Sequence, residues 1–121
     1  MTFERISIIG VGLIGGSLGL ALRQTGFAGE IVGVSRDETI EQAVAMGAVD
    51  RGVDYERLDE GVGAADLVVV CSPIQHIIGI LPKVMAAVPA GALVTDAGST
   101  KRHIVESARR AGRTDAFFLG G

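Results

Sequence analysis

The chain has 121 residues, 48% of them hydrophobic but only 4% aromatic, and a formal net charge of −3. This length allows one core built from aliphatic side chains and is too short for two domains. Its basic residues are not clustered, which argues against a nucleic-acid surface, and it has neither an apolar run long enough for a membrane helix nor a signal peptide. A single cysteine, Cys71, excludes an internal disulfide and indicates a reducing, cytoplasmic compartment.

Strand and helix patterns alternate along the whole sequence. Aliphatic runs predict strands over residues 6–9, 31–34, 67–70 and 92–95. A short strand or an extended segment is expected over 48–53, and the apolar residues 117–119 predict one more strand. Between them lie predicted helices over residues 14–25, 37–46 and 100–110. The first of these has Ile14, Leu18, Ala21 and Leu22 on one face, and the second would be capped by Ser35 or Asp37. A polar helical turn is expected over 55–60, and residues 74–88 form a helical segment in which Pro82 either starts a second short helix or introduces a kink. The pattern predicts one doubly wound, mostly parallel α/β domain of the Rossmann type, spanning residues 1–121.

A glycine-rich turn joins the first strand to the first helix. Gly10, Gly12 and Gly15 have the Gly-x-Gly-x-x-Gly spacing of a dinucleotide-binding βαβ unit. Gly10 permits a tight turn, Gly12 lets the backbone approach a pyrophosphate, and Gly15 allows the helix to pack closely on the sheet. The helix N-terminus would then face the phosphates.

The residues at the end of the second strand indicate which coenzyme is bound. An acidic residue at this place normally binds the adenosine ribose 2′-hydroxyl of NAD. Here the sequence has Ser35 and Arg36, and a hydroxyl with a guanidinium suits a 2′-phosphate. NADP is therefore favoured over NAD, although Asp37 would be the ribose ligand if the strand ended later.

Two further strand ends hold candidate site residues. Ser72 and Pro73 follow the fourth strand, where they would lie under the nicotinamide-side ribose, while Pro73 also suits the first position of the next helix. Ser99 follows the fifth strand and could cap a helix or contact a reacting carbonyl or hydroxyl. The two histidines, His76 and His103, are expected on helix surfaces rather than in acid–base chemistry, and Cys71 is expected to be a small buried strand residue without a nucleophilic role.

Four motifs, in order, resemble the prephenate and arogenate dehydrogenases of tyrosine biosynthesis. They are GVGLIGGSLGLAL at 10–22, VCSPI at 70–74, TDAGSTK at 95–101 and FLGG at 118–121. The resemblance covers nearly the whole chain and implies oxidative decarboxylation, with hydride transfer to NADP or NAD. It assigns pyrophosphate binding to Gly10, Gly12, Leu13, Ile14 and Gly15, the adenosine ribose to Ser35 and Arg36, and the other ribose to Ser72 and Pro73. Ser99 would lie beside the nicotinamide and orient the catalytic group.

One departure from this family concerns catalysis. In the family the Gly-Gly pair is followed by His-Pro, and that histidine polarises the substrate hydroxyl, whereas the present sequence stops at Gly121. The helical second domain, through which the family dimerises, is also expected to be absent. The resemblance therefore implies a cofactor domain that binds nucleotide but does not by itself turn over prephenate or arogenate.

Two other functions share the glycine motif. Dehydrogenases of 3-hydroxyacids and pyrroline-carboxylate reductases are also hydride-transfer enzymes, but they have other residues where this chain has Asp96 to Lys101. A non-catalytic, nucleotide-sensing Rossmann module is the second alternative, because many functions use this fold.

Overall fold

A computed structural model describes residues 3–96 and 115–119. The strands are β1 (Arg5–Ile9), β2 (Glu30–Val34), β3 (Arg51–Val53), β4 (Leu67–Val70), β5 (Leu93–Asp96) and β6 (Phe117–Leu119). The helices are α1 (Leu13–Gln24), α2 (Asp37–Ala45), α3 (Leu58–Val62), which follows a 3₁₀ turn at Tyr55–Arg57, and α4 (Ile74–Ala87). The predicted helix over 100–110 lies outside the described residues. None of the helices within the described ranges is long and apolar enough to cross a membrane.

The strands form one sheet in the order β3-β2-β1-β4-β5-β6, and every neighbouring pair is parallel. The order reverses between β1 and β4, and this reversal opens a crevice at the carboxyl ends of the strands. The predicted doubly wound α/β fold is therefore confirmed.

Two apolar clusters cover the two faces of the sheet. On one face Val34, Val68 and Val94 pack with α3 and α4, and on the other Ile8 and Ile31 pack with α1 and α2. Residues 6–9 of β1 and 31–34 of β2 are buried on both sides, as expected for parallel strands built from Val and Ile.

The inner face of α1 differs from the prediction. Its fully buried residues are Gly15 and Gly19, whereas Ile14 and Ala21 are exposed. A Cβ at Gly19 would collide with the Ala48 carbonyl oxygen, so at this point the helix approaches its neighbour through backbone. Leu18 and Leu22 pack against the apolar cluster on this side of the sheet, as the apolar spacing predicted. The prediction was wrong for Ile14 and Ala21, and it ignored glycine as a packing residue.

The structure also decides three local features for which the sequence offered alternatives. The third strand covers only Arg51–Val53, and Asp50 precedes it with its N–H bonded to the Ile31 carbonyl and its carboxylate accepting the Ile31 N–H, both at 2.8 Å. The N-cap of α2 is Arg36, without a side-chain cap, so neither Ser35 nor Asp37 caps this helix. Pro82 lies inside a single helix and does not start a second one.

Candidate functional site

The turn after β1 lies against the end of β4. Gly10 has φ +82°, and its N–H donates to the Val34 carbonyl at 2.7 Å. A Cβ at this position would lie 2.6 Å from Ser72 Oγ and 2.8 Å from the Ser72 amide nitrogen. Only glycine fits this tight turn, and the fold brings two of the predicted site residues, Gly10 and Ser72, into contact.

The other two motif glycines have different surroundings. A Cβ at Gly15 would collide with the Gly10 carbonyl oxygen and lie 3.1 Å from Ile8 Cγ2, so Gly15 does allow close packing of α1 on the sheet. A Cβ at Gly12, in contrast, has no neighbouring atom within 4 Å. Packing against described residues therefore does not require glycine at position 12, and open space remains in front of it for a bound group.

The N-terminus of α1 has no side-chain cap from its own N-cap residue. Gly12 is the N-cap and makes no side-chain hydrogen bond, and the first turn carries no acidic residue. The amides of a first helical turn have no partner within the helix, and they carry the positive end of the helix dipole. Leu13 and Ile14 lie in this turn with exposures of 90% and 62%, so the turn is open to a ligand from outside.

The end of β2 is followed directly by the predicted ribose ligands. The strand stops at Val34, and the buried Ser35 donates its N–H to the Val53 carbonyl at 3.1 Å. Arg36 is exposed at the start of α2, and Asp37 is already the first helical residue. Asp37 would be the ribose ligand only if β2 ended later in the sequence, and it does not.

The end of β4 contains a buried hydroxyl without a partner. Ser72 is 7% exposed, and its Oγ makes no hydrogen bond to any described residue. Leaving such a group unpaired costs about 1–3 kcal/mol. The next residue, Pro73, is exposed and precedes α4, and its carbonyl accepts the His76 N–H at 2.9 Å. A ligand hydroxyl in the crevice is one group that could satisfy Ser72.

Cys71, next to Ser72, is not suited to nucleophilic chemistry. Burial, with a smaller contribution from the nearby Asp96 carboxylate, raises the pKa of its thiol to about 11. The thiol is therefore neutral near pH 7, in agreement with the expectation from the sequence, although Cys71 is half-buried and lies one residue past β4.

Two of the predicted positions cannot be placed. Ser99 and His103 lie outside the described residues, whereas Asp96, at the carboxyl end of β5, is 4% exposed. This buried carboxylate lies on the same edge of the sheet as Gly10 and Ser72. No three His, Cys, Asp or Glu side chains in residues 3–96 and 115–119 are grouped as a metal site would require.

An aromatic pair lies beside this edge. Tyr55 and His76 make an edge-to-face contact with ring centroids 4.6 Å apart and an interplanar angle of 78°. Burial, followed by the charge of Arg36, lowers the pKa of the half-buried His76. The sequence analysis missed Tyr55, although its position just after the third strand, in a chain with no other tyrosine, could have singled it out.

Below this pair, a groove of about 550 Å³ runs between α3 and α4. It is lined by Tyr55, Leu58, His76, Gly79, Ile80 and Ala87 together with the charged residues Glu56, Asp59 and Lys83. A second groove, of about 340 Å³, lies between α1 and α2 and is lined mainly by apolar residues from Val11 to Ala48.

Comparison with protein families identifies a match over most of the chain. Residues 18–121 match the nucleotide-binding domain of prephenate dehydrogenase. The prephenate dehydrogenase of Lactococcus lactis is 36% identical over 98% of this chain, and that of Bacillus subtilis is 34% identical over 98%. The chain spans about a third of the length of these curated relatives.

Solved structures agree in fold and sequence. A prephenate dehydrogenase from Aquifex aeolicus, in complex with hydroxyphenyl propionate and NAD⁺, superimposes with a TM-score of 0.86 and 30% identity over 99% of this chain and 41% of its own. Arogenate dehydrogenase from Synechocystis has a TM-score of 0.81 and 33% identity over 96% of this chain and 39% of its own.

The first alternative from the sequence, a 3-hydroxyacid dehydrogenase, has weaker support. A 3-hydroxyisobutyrate dehydrogenase from Mycobacterium tuberculosis has a TM-score of 0.75 at only 17% identity, which shows a shared fold and no more. The relatives that match at 34–36% identity over 98% of the chain are prephenate dehydrogenases. The chain belongs to the prephenate dehydrogenase family and corresponds to its nucleotide-binding domain.

Proposed function

We propose that residues 1–121 form a single dinucleotide-binding domain that serves the oxidative decarboxylation of prephenate or arogenate in tyrosine biosynthesis. The observation that carries this proposal is the edge of the sheet at which Gly10, Ser72 and the uncapped N-terminus of α1 meet. The names of the family relatives supply the reaction.

The residues at this edge fit a dinucleotide. The amides of Leu13, Ile14 and Gly15 would bind the pyrophosphate together with the open backbone at Gly12, since anions bind well at helix N-termini. Ser72 has a hydroxyl that lacks a partner among the described residues, and it would bind the nicotinamide-side ribose with Pro73 beside it. When bound, the coenzyme supplies the acceptor for the hydride that leaves the ring carbon bearing the 4-hydroxyl, while carbon dioxide is lost and the ring becomes aromatic.

Within this site we assign coenzyme selectivity to Ser35 and Arg36. An exposed guanidinium directly after β2 can bind a 2′-phosphate through two parallel hydrogen bonds. NADP is therefore preferred over NAD. The Aquifex relative was solved with NAD⁺ bound, which describes that protein and does not determine which coenzyme this chain prefers.

The remaining assignments rest on the family. Ser99 is proposed to lie beside the nicotinamide and orient the catalytic group. The substrate is proposed to be a small molecule, with no nucleic acid or membrane as partner and with a homodimer as the working enzyme. The single cysteine supports a cytoplasmic location.

A chimera tests the proposed reaction. Residues 1–121 replace the aligned third of the Bacillus subtilis prephenate dehydrogenase, and NADPH or NADH formation is followed with prephenate and with arogenate as substrates. We expect turnover with at least one substrate, faster with NADP⁺ than with NAD⁺ at low coenzyme concentration.

The control chimera carries Gly12→Asp, which places a carboxylate where the phosphates would bind, and turnover should be lost. A folded chimera that binds nucleotide but oxidises neither substrate would contradict the proposed reaction and favour a nucleotide-sensing module.

A further inference from the structure

Three residues from different parts of the chain lie beside the end of β2. Arg36 is the N-cap of α2, Tyr55 follows β3, and His76 lies in the first turn of α4. The ends of β2 and β3 are joined by the hydrogen bond from the Ser35 N–H to the Val53 carbonyl at 3.1 Å, which brings the residues that follow these two strands close together. His76 is fixed by its edge-to-face contact with Tyr55 and by the 2.9 Å hydrogen bond from its amide to Pro73. It is also close enough to Arg36 for the guanidinium to lower the pKa of the imidazole.

The charges around His76 come from every element packed against it. Arg36 faces it from the start of α2, Glu56 and Asp59 line the same groove from the 3₁₀ turn and α3, and Lys83 lines it from α4 itself. Of these, Arg36 is the charge that acts on His76. With burial and a cation both lowering its pKa, the imidazole is neutral at pH 7.

We propose that His76 is a specificity-determining residue that acts with Arg36 on the ribose 2′-phosphate of NADP and makes the preference for NADP over NAD dependent on pH. This inference rests on the proposed function, because it needs the 2′-phosphate to lie against Arg36.

The direction of the effect follows from electrostatics. A phosphate placed between Arg36 and His76 favours the imidazolium, so binding of NADP takes up a proton. By linkage, the affinity for NADP rises as the pH falls toward the pKa of free His76, and the gain is lost above the pKa of His76 in the complex. NAD carries a hydroxyl in place of the phosphate, so its affinity lacks this dependence.

The test is a pair of titrations at several pH values. Dissociation constants for NADP⁺ and NAD⁺ are measured on the 121-residue chain between pH 8.5 and 6.5, above the second pKa of about 6 for a phosphate monoester. We expect the ratio of NADP to NAD affinity to increase about threefold or more over this range, since each pH unit can contribute at most tenfold for one proton. His76→Gln should remove the increase and leave NAD binding within about twofold.

Lys83→Gln is the matched control. This residue lies on the same helix about 10 Å farther along its axis, and its loss should leave the pH dependence intact. NMR titration of the His76 imidazole in the unmodified chain provides a reading that needs no variant: its pKa should rise with NADP⁺ and not with NAD⁺.

The possible failures can be told apart. The role of His76 is overturned if the ratio of NADP to NAD affinity of the unmodified chain does not change with pH, or if NADP⁺ leaves the pKa of the imidazole unchanged. The proposed function stands in either case. If neither nucleotide binds, the proposed function fails and this inference fails with it.

Discussion

The glycines of the first turn are needed for different reasons. Gly10 combines φ +82° with close contact to Ser72, so its backbone and its lack of a side chain are both fixed by the fold. Gly12 is free of such contact with described residues. One glycine serves stability and the other is available for a ligand, although the sequence motif presents them as equivalent.

Gly10→Ala should therefore destabilise the domain. The new Cβ combines an unfavourable positive φ with a clash against the backbone of Ser72, and we expect the free energy of unfolding to fall by about 2 kcal/mol or more. Urea denaturation followed by circular dichroism measures this change.

Gly12→Ala provides the matched comparison. It should alter the free energy of unfolding by less than about 1 kcal/mol, because a Cβ at this position meets no described atom, while weakening nucleotide binding if the phosphates approach Gly12 as proposed. Equal destabilisation by both substitutions would show that the two glycines do not divide these roles.

Cys71 gives a pH-dependent prediction. Its pKa of about 11 in the folded chain is above the ordinary value of 9.0 for a thiol, so the folded state holds the thiol proton more tightly. The corresponding stability is fully present below pH 9 and is lost as the pH rises toward 11. Alkylation by iodoacetamide should be slow in the folded chain at pH 8 and much faster in urea; equal rates in the two states would refute the burial of this thiol.

At the level of elements, α1 depends on glycine for its packing. Gly19 faces the backbone of Ala48, whereas Gly16, on the same helix, has no neighbour within 4 Å of a Cβ. Alanine is the better helix former by about 1 kcal/mol, so helix propensity alone predicts that both replacements stabilise the chain.

The structure predicts opposite signs for the two replacements. Gly19→Ala should lower the free energy of unfolding by about 2 kcal/mol or more, because the methyl group meets a backbone carbonyl that cannot move aside cheaply. Gly16→Ala should leave stability unchanged or raise it by up to about 1 kcal/mol. Thermal denaturation distinguishes the two, and a stabilising Gly19→Ala would mean that α1 does not approach Ala48 closely.

Helix α1 illustrates which features could be predicted from the sequence and which could not. Aliphatic runs predicted β1, β2, β4 and β5, and the glycine spacing predicted the turn after β1, because both depend on local residue types. The packing of α1 was predicted correctly for Leu18 and Leu22 but not for Gly19, since the role of Gly19 depends on how close a distant segment, around Ala48, comes to the helix. The pairing of Tyr55 with His76 could not be predicted either, because it joins side chains from separate elements.

At the level of the whole molecule, the sheet order determines where function can occur. The reversal between β1 and β4 brings the ends of β1, β2 and β4 to one edge, and with them the glycine turn, Arg36 and Ser72. These residues are far apart in the sequence, yet each follows a strand directly. The family match then connects this edge with a nucleotide-binding domain.

The central claim is that this edge binds a dinucleotide and that Arg36 selects the phosphorylated form. Calorimetric titration of the 121-residue chain with NADP⁺ and NAD⁺, repeated with Arg36→Ala, tests it most directly. We expect NADP⁺ to bind more tightly, and Arg36→Ala to weaken NADP⁺ about tenfold while leaving NAD⁺ within about twofold, since a charge-assisted hydrogen bond contributes about 1.5–3 kcal/mol. Tighter binding of NAD⁺ by the unmodified chain, or no binding of either coenzyme, would contradict the claim.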